Sequence, residues 1–240
     1  IVRSPDAVTR KPLIPIGGGK DSIVTIELLK DAGYPQTLLR VGEHPIINEM
    51  ADVADIHLLN VKRALSPELF RLNEEGALNG HVPISAYISF LAVAIAVLGG
   101  YSDVIFSNER SANEGNVDYR GKTINHQWSK SLEFERMLQE YLASYITKDV
   151  GYFSLLRRYS ELRIVEQFMD YPQYLELFTS CNRNWHLVAK KEMPTLWCGE
   201  CPKCAFAFAL LAGYMPKDKI VGLFGKNLFE DEKLVPLYKE

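Results

Sequence analysis

Residues 13–29 read LIPIGGGKDSIVTIELL. An apolar run that stops at three glycines and passes through Lys-Asp-Ser into apolar residues at helical spacing (Ile23, Ile26, Leu29) predicts a buried strand, a tight turn and a helix that Gly33 stops. The pattern then repeats. QTLLRV reads as a second strand, residues 46–51 as a helix, and IHLLNV at residues 56–61 as a third strand. Strand, helix, strand, helix, strand is the order of a parallel sheet with right-handed crossovers and helices on both faces. The fold class expected is therefore α/β, with a doubly wound parallel sheet.

At 240 residues and 47% hydrophobic content, the chain suits one large α/β core, with room for an appendage. Residues 66–72 and 84–98 read as further helices, and SDVIFSNE at residues 102–109 as a fourth core strand. Helical patterns return at residues 132–145, 161–169 and 205–214. The expected division is an α/β core over residues 1–150 and a helical C-terminal region over residues 151–240. A formal charge of -3 argues against a large nucleic-acid footprint. The apolar run from Ile84 is interrupted by Ser85, Tyr87 and Ser89, and its roughly dozen strictly apolar residues fall short of the 18 to 20 that span a bilayer. It reads as a core helix. No basic segment followed by an apolar one opens the sequence, so a cytoplasmic protein is expected, with no membrane partner.

Glycines admit phosphate oxygens close to backbone N–H groups, and a helix N-terminus favours negative charge, so the loop at Gly17 suits an anion. Its spacing matches neither the GxxxxGK[ST] loop nor the GxGxxG fingerprint. A glycine-rich turn capped by Ser22 is the plain alternative. Residues 110–130, RSANEGNVDYRGKTINHQWSK, form a long polar stretch after a core strand, and long loops in compact domains are usually functional or disordered. Asn113, Asn116, His126, Gln127 and Lys130 could all meet a ligand. Of four cysteines, Cys198, Cys201 and Cys204 lie in CGECPKC, with Cys181 upstream. Three thiols on one turn and a fourth to complete a tetrahedral shell favour a closed structural zinc site, with an iron–sulfur cluster or plain buried cysteines as alternatives.

GGGKDS closely resembles the SGGxDS loop of the PP-loop, or N-type ATP pyrophosphatase, superfamily, with Gly17 where serine usually stands. That resemblance implies the same parallel sheet and cleavage of ATP between its α- and β-phosphates to adenylate a substrate. It implies an ATP site at Gly17, Gly18, Gly19, Lys20, Asp21 and Ser22, with Asp21 organising Mg2+ or phosphates. The cysteine turn is similar to the zinc site of 7-cyano-7-deazaguanine synthases in that superfamily. Further strings, LNGHVPISAYISF, SNERSANEGN, NHQWSKSLEFE, YFSLLR, SELRI, SCNRNW and WCGECPKCAF, resemble the ATP-dependent muropeptide glutamate epimerases, the MurL family.

The MurL resemblance runs from about Pro12 to near Leu234. It implies a bacterial enzyme that inverts the terminal L-glutamate of UDP-N-acetylmuramoyl-L-alanyl-L-glutamate in peptidoglycan synthesis, using ATP and Mg2+. The candidates for proton transfer are His126, Lys130, Glu109 and Glu114, with Lys130 better suited to holding a phosphate or carboxylate. The candidates for substrate binding are Asn108, Asn113, Asn116, Arg157 and Arg163, the arginines through carboxylates or phosphates. His81 either orients a loop or touches ligand. Two rivals stand beside this reading: another PP-loop enzyme, deazaguanine-synthase-like or tRNA-thiolating, and a non-catalytic ATP sensor. Oligomeric state has no signal in the sequence.

Overall fold

A computed structural model describes residues 10–78, 82–115, 117–185 and 195–239. The chain opens with strand β1 (Pro12–Pro15), helix α1 (Lys20–Asp31), β2 (Thr37–Val41), α2 (Pro45–Ala54), β3 (Leu58–Val61), α3 (Pro67–Glu74), α4 (Ile84–Gly99) and β4 (Asp103–Phe106). It continues with β5 (Val117–Tyr119), β6 (Lys122–Ile124), α5 (Leu132–Tyr141), β7 (Gly151–Ser154), α6 (Glu161–Phe168), α7 (Pro202–Ala212) and α8 (Lys217–Phe224). Five strands form one sheet in the order β3-β2-β1-β4-β7, and every pairing is parallel. The doubly wound α/β fold expected from the alternation is the fold observed.

Apolar patterning decides the layers. Ile14, Leu38 and Ile105 point to one face, where α1, α2 and α6 pack together with Phe208, Ile220 and Phe224 of the C-terminal helices. Leu13, Leu39, Val104 and Phe106, one residue out of step, point to the other face and meet α4 and α5. Alternate side chains of a strand point to opposite faces, so near-continuous apolar strands are what a sheet covered on both sides requires. The strand order reverses between β1 and β4. Crevices at such reversals, beyond the carboxyl ends of the strands, are where ligands bind in open α/β sheets.

Four elements lie outside the expectations. The polar stretch contains a short antiparallel hairpin, β5 with β6, closed by Arg120 and Gly121 at φ 51° and 72°. Two consecutive positive φ values are the two-residue turn that best suits hairpin twist, and the alternation VDY/KTI was its only trace. Strand β7 pairs with β4 and completes the sheet from beyond residue 150. Helix α8 follows Pro216, at a segment too short to show a clear period. No helix among the described residues is long and apolar enough to cross a membrane.

Candidate active site and cysteine centre

The strand-to-helix turn positions the first group of side chains. Gly18 adopts φ +81°, and a Cβ there would meet the Trp185 ring at 2.7 Å. Only glycine fits. The Gly18 carbonyl accepts a hydrogen bond from Thr179 N at 2.9 Å, which stitches the loop to the segment leading into Cys181. Helix α1 starts at Lys20 with Gly19 as its N-cap, so Asp21 lies in the first turn, where a carboxylate complements the helix end. Ser22 is not the cap: it is buried, and its hydroxyl donates back to Gly19 O at 2.9 Å.

Lys20 does not point freely into solvent. Its Nζ lies 2.6 Å from Asp21 Oδ1 and 2.5 Å from Glu161 Oε2, the first residue of α6. Burial opposes its charge, yet the two carboxylates hold the ammonium above the ordinary lysine range. Burial pushes the Glu161 carboxyl upward, against the pull of Lys20. Nothing in the sequence singled out Glu161 beyond its place in SELRI; a pairing across 141 residues has no local signature.

These groups open into a cavity of about 410 Å³. Its walls come from the glycine turn (Gly19, Lys20, Asp21), the polar stretch (Glu109, Glu114, Asn125, His126, Gln127, Lys130), Glu161 of α6, and the C-terminal segment (Phe178, Ser180, Lys203, Phe206, Leu210). Residues from four separate parts of the chain thus meet at the reversal point of the sheet. Lys130 Nζ donates to Gln127 Oε1 at 2.6 Å. Its ammonium is lowered from the ordinary lysine range, first by burial and then by Lys203, with Asp21 and Glu109 pulling the other way. Glu109 Oε2 accepts a bond from Ala112 N at 2.8 Å, which fixes the start of the polar stretch.

Several candidates are placed elsewhere. Arg157 is outside the cavity wall: it donates to the carbonyls of Glu109 and Lys130 at 3.2 and 2.9 Å and pairs with the buried Glu135 at 2.7 Å. It braces the polar stretch against α5. Arg163 is exposed and pairs with Glu166 one helical turn away, at 2.6 Å. Asn113 bridges Arg110 O and Leu132 N, and Asn108 donates to Ser154 Oγ at 3.0 Å, so both serve as local braces here. Gly17 and Gly18 shape the turn without lining the cavity. Asn116 and His81 lie outside the described residues.

Behind the C-terminal wall the four cysteines converge. Their sulfurs all lie within 4.8 Å of one another, with Cys198 to Cys204 at 3.7 Å and Cys201 to Cys204 at 3.4 Å. Four thiolates around one ion at metal–sulfur bonds of about 2.3 Å stand roughly 3.8 Å apart, so the shell fits a single tetrahedral ion. A cluster in which each iron takes its own cysteine needs a wider spread. Hydrogen bonds with Cys181 and Cys204 hold the Cys201 thiol low, while those with Cys181 and Cys201 push Cys204 up. Trp197, adjacent to Cys198, is buried between Phe178 and Phe224, with ring centroids 5.2 and 4.6 Å away.

Comparison with known proteins agrees with this arrangement. The description "MurL N-terminal domain" matches residues 2–155, and "MurL C-terminal domain" matches residues 177–240. A relative from Xanthomonas oryzae is 45% identical over 91% of the chain, and relatives from Micromonospora and Salinispora tropica are each 41% identical over 96% and 98%. All three are named UDP-N-acetyl-alpha-D-muramoyl-L-alanyl-L-glutamate epimerase. The matches cover 48%, 51% and 51% of those proteins, so the chain spans about half the length of the curated relatives it matches.

Proposed function

The chain belongs to the MurL family, and from that membership we propose that it is the ATP-using core of an epimerase acting on the terminal glutamate of UDP-N-acetylmuramoyl-L-alanyl-L-glutamate. The observation that carries this reading is the single cavity into which the glycine turn and the polar stretch both open. One side suits phosphates and the other suits proton transfer.

The chemistry explains the need for both. A proton beside an ionised carboxylate resists removal, because the carbanion would form next to an existing negative charge. Activation removes that obstacle: a substrate carboxylate oxygen attacks the α-phosphorus of ATP, and the bond to pyrophosphate breaks. The acyl-AMP that results is a neutral-carbonyl mixed anhydride, far more acidic at its α-carbon. A base takes the α-proton, a proton returns to the opposite face, and water cleaves the anhydride to AMP and the inverted carboxylate. ATP and water are consumed; AMP and pyrophosphate leave.

In this scheme the N–H groups at Gly19 and the start of α1 face the departing pyrophosphate. Asp21 binds Mg2+ with the phosphates, and Lys20 neutralises them, exchanging Glu161 for a phosphate oxygen. Glu109, Glu114 and His126 supply the proton-transfer groups, since all three line the cavity on the polar stretch. The cysteine shell holds Zn2+, which supplies a structural cross-link rather than a reacting group. A cytoplasmic location follows for a protein handling a UDP-linked precursor.

The test is direct. Incubated with ATP, Mg2+ and UDP-MurNAc-L-Ala-L-Glu, the protein should release AMP and pyrophosphate and yield D-glutamate after hydrolysis of the peptide. Production of ADP, or glutamate that stays entirely L while AMP forms, would overturn the scheme.

A further inference from the structure

The cations of the cavity are not equivalent. Lys20 is neutralised twice, by Asp21 and Glu161. Lys130 and Lys203 have no carboxylate in contact: Lys130 donates to a neutral amide and is offset only through space by Asp21 and Glu109, and among the described residues Lys203 makes no ion pair or side-chain hydrogen bond. The two ammonium groups oppose each other electrostatically and line the same cavity. Like charges in one cavity with no carboxylate in ion-pair contact destabilise a fold, so such a pair points to an anionic ligand.

A second observation concerns how Lys203 is held. It lies between Cys201 and Cys204, and Ser180, next to Cys181, lines the same wall. A metal bound by these cysteines clamps the turn on both sides of Lys203. The wall cannot shift without moving the metal shell.

We propose that Lys130 and Lys203 form a two-ammonium clamp for the second, unactivated carboxylate of an acidic amino-acid residue in the substrate, and that the cysteine centre is the device that positions Lys203. The inference rests on the functional reading above and adds the origin of its specificity. A terminal glutamate has two carboxylates, and only one becomes the acyl-AMP. The other keeps its charge throughout and needs a cation that the phosphates do not occupy. Phosphate already has the glycine turn and Lys20. A site built around a charge partner rejects the neutral analogue, because the two ammonium groups then lose that counter-charge.

The experiment uses the whole chain and titration calorimetry with three probes: UDP-MurNAc-L-Ala-L-Glu, its counterpart ending in L-Gln, and a non-hydrolysable ATP analogue. Wild type should prefer the Glu probe by roughly 30-fold or more, a difference of the size lost when one member of a buried charge pair goes missing. Lys203→Gln should lose that preference by weakening the Glu probe alone, with nucleotide affinity and bound metal unchanged, and Lys203→Arg should retain most of it. Chelating the metal should reduce the preference in wild type and leave Lys203→Gln unaffected. Equal weakening of both peptides, or weakening of the nucleotide analogue instead, overturns the clamp while leaving the functional reading intact. Wild type that binds the nucleotide but neither peptide overturns both.

Discussion

The glycine wall and the cysteine wall of the cavity are built on different physics. The first is the end of a central strand, hydrogen-bonded to neighbours on both sides, entering a helix whose apolar residues are buried. The second consists of short turns and one apolar helix held by four sulfurs and an aromatic stack. A sheet centre is rigid through many weak bonds, whereas a short segment with little regular structure needs a few strong ones. Each wall therefore fails differently.

The largest effect should come from the cysteine wall. Removing a metal held by the four cysteines, or replacing Cys204 with Ser, should destabilise the C-terminal segment by several kcal/mol or more, because a structural metal site contributes folding energy outright. Limited proteolysis should then cut around residues 177–212 while the sheet stays protected. Simultaneous loss of the sheet would mean that the two walls are one cooperative unit, and would break the comparison.

Next comes the brace between the polar stretch and α5. Arg157→Ala leaves Glu135 buried without its partner and should cost about 3–5 kcal/mol in denaturant unfolding. Gly18→Ala should cost less, about 1–3 kcal/mol, from positive φ and the collision with Trp185. Because Gly18 is also bonded to Thr179, the same variant should change Trp fluorescence, which reports whether strain at one wall reaches the other.

Glu161→Gln sharpens the picture by weakening one of the two ion pairs on Lys20. An approximately three- to tenfold change in nucleotide affinity with peptide affinity unchanged is expected, in keeping with the modest worth of a part-buried charged hydrogen bond. The smallest effect is expected from Arg163→Ala, whose ion pair is on the exposed surface of α6 and should leave the unfolding midpoint where it was.

Local chemistry and apolar periodicity determined much of this molecule. The strand–glycine–helix turn, the repeated β–α order and the cysteine spacing were legible because each rests on neighbours a few residues apart: backbone freedom at glycine, face alternation along a strand, thiols on one turn. The identity of the cavity wall was legible only in part. Asp21, Lys130 and His126 lie in strings with visible character, but Glu161 and Lys203 reach the cavity through the packing of α6 on α1 and of α7 behind the cysteine shell. Arg157 has the same side chain a substrate-binding arginine would have, and only its carbonyl and Glu135 partners show that it braces the loop. Long-range pairing has no sequence period, because the residues that meet are joined by the whole fold between them. The alternation in the sequence therefore determined the layers, and tertiary packing decided which charged side chains share the cavity.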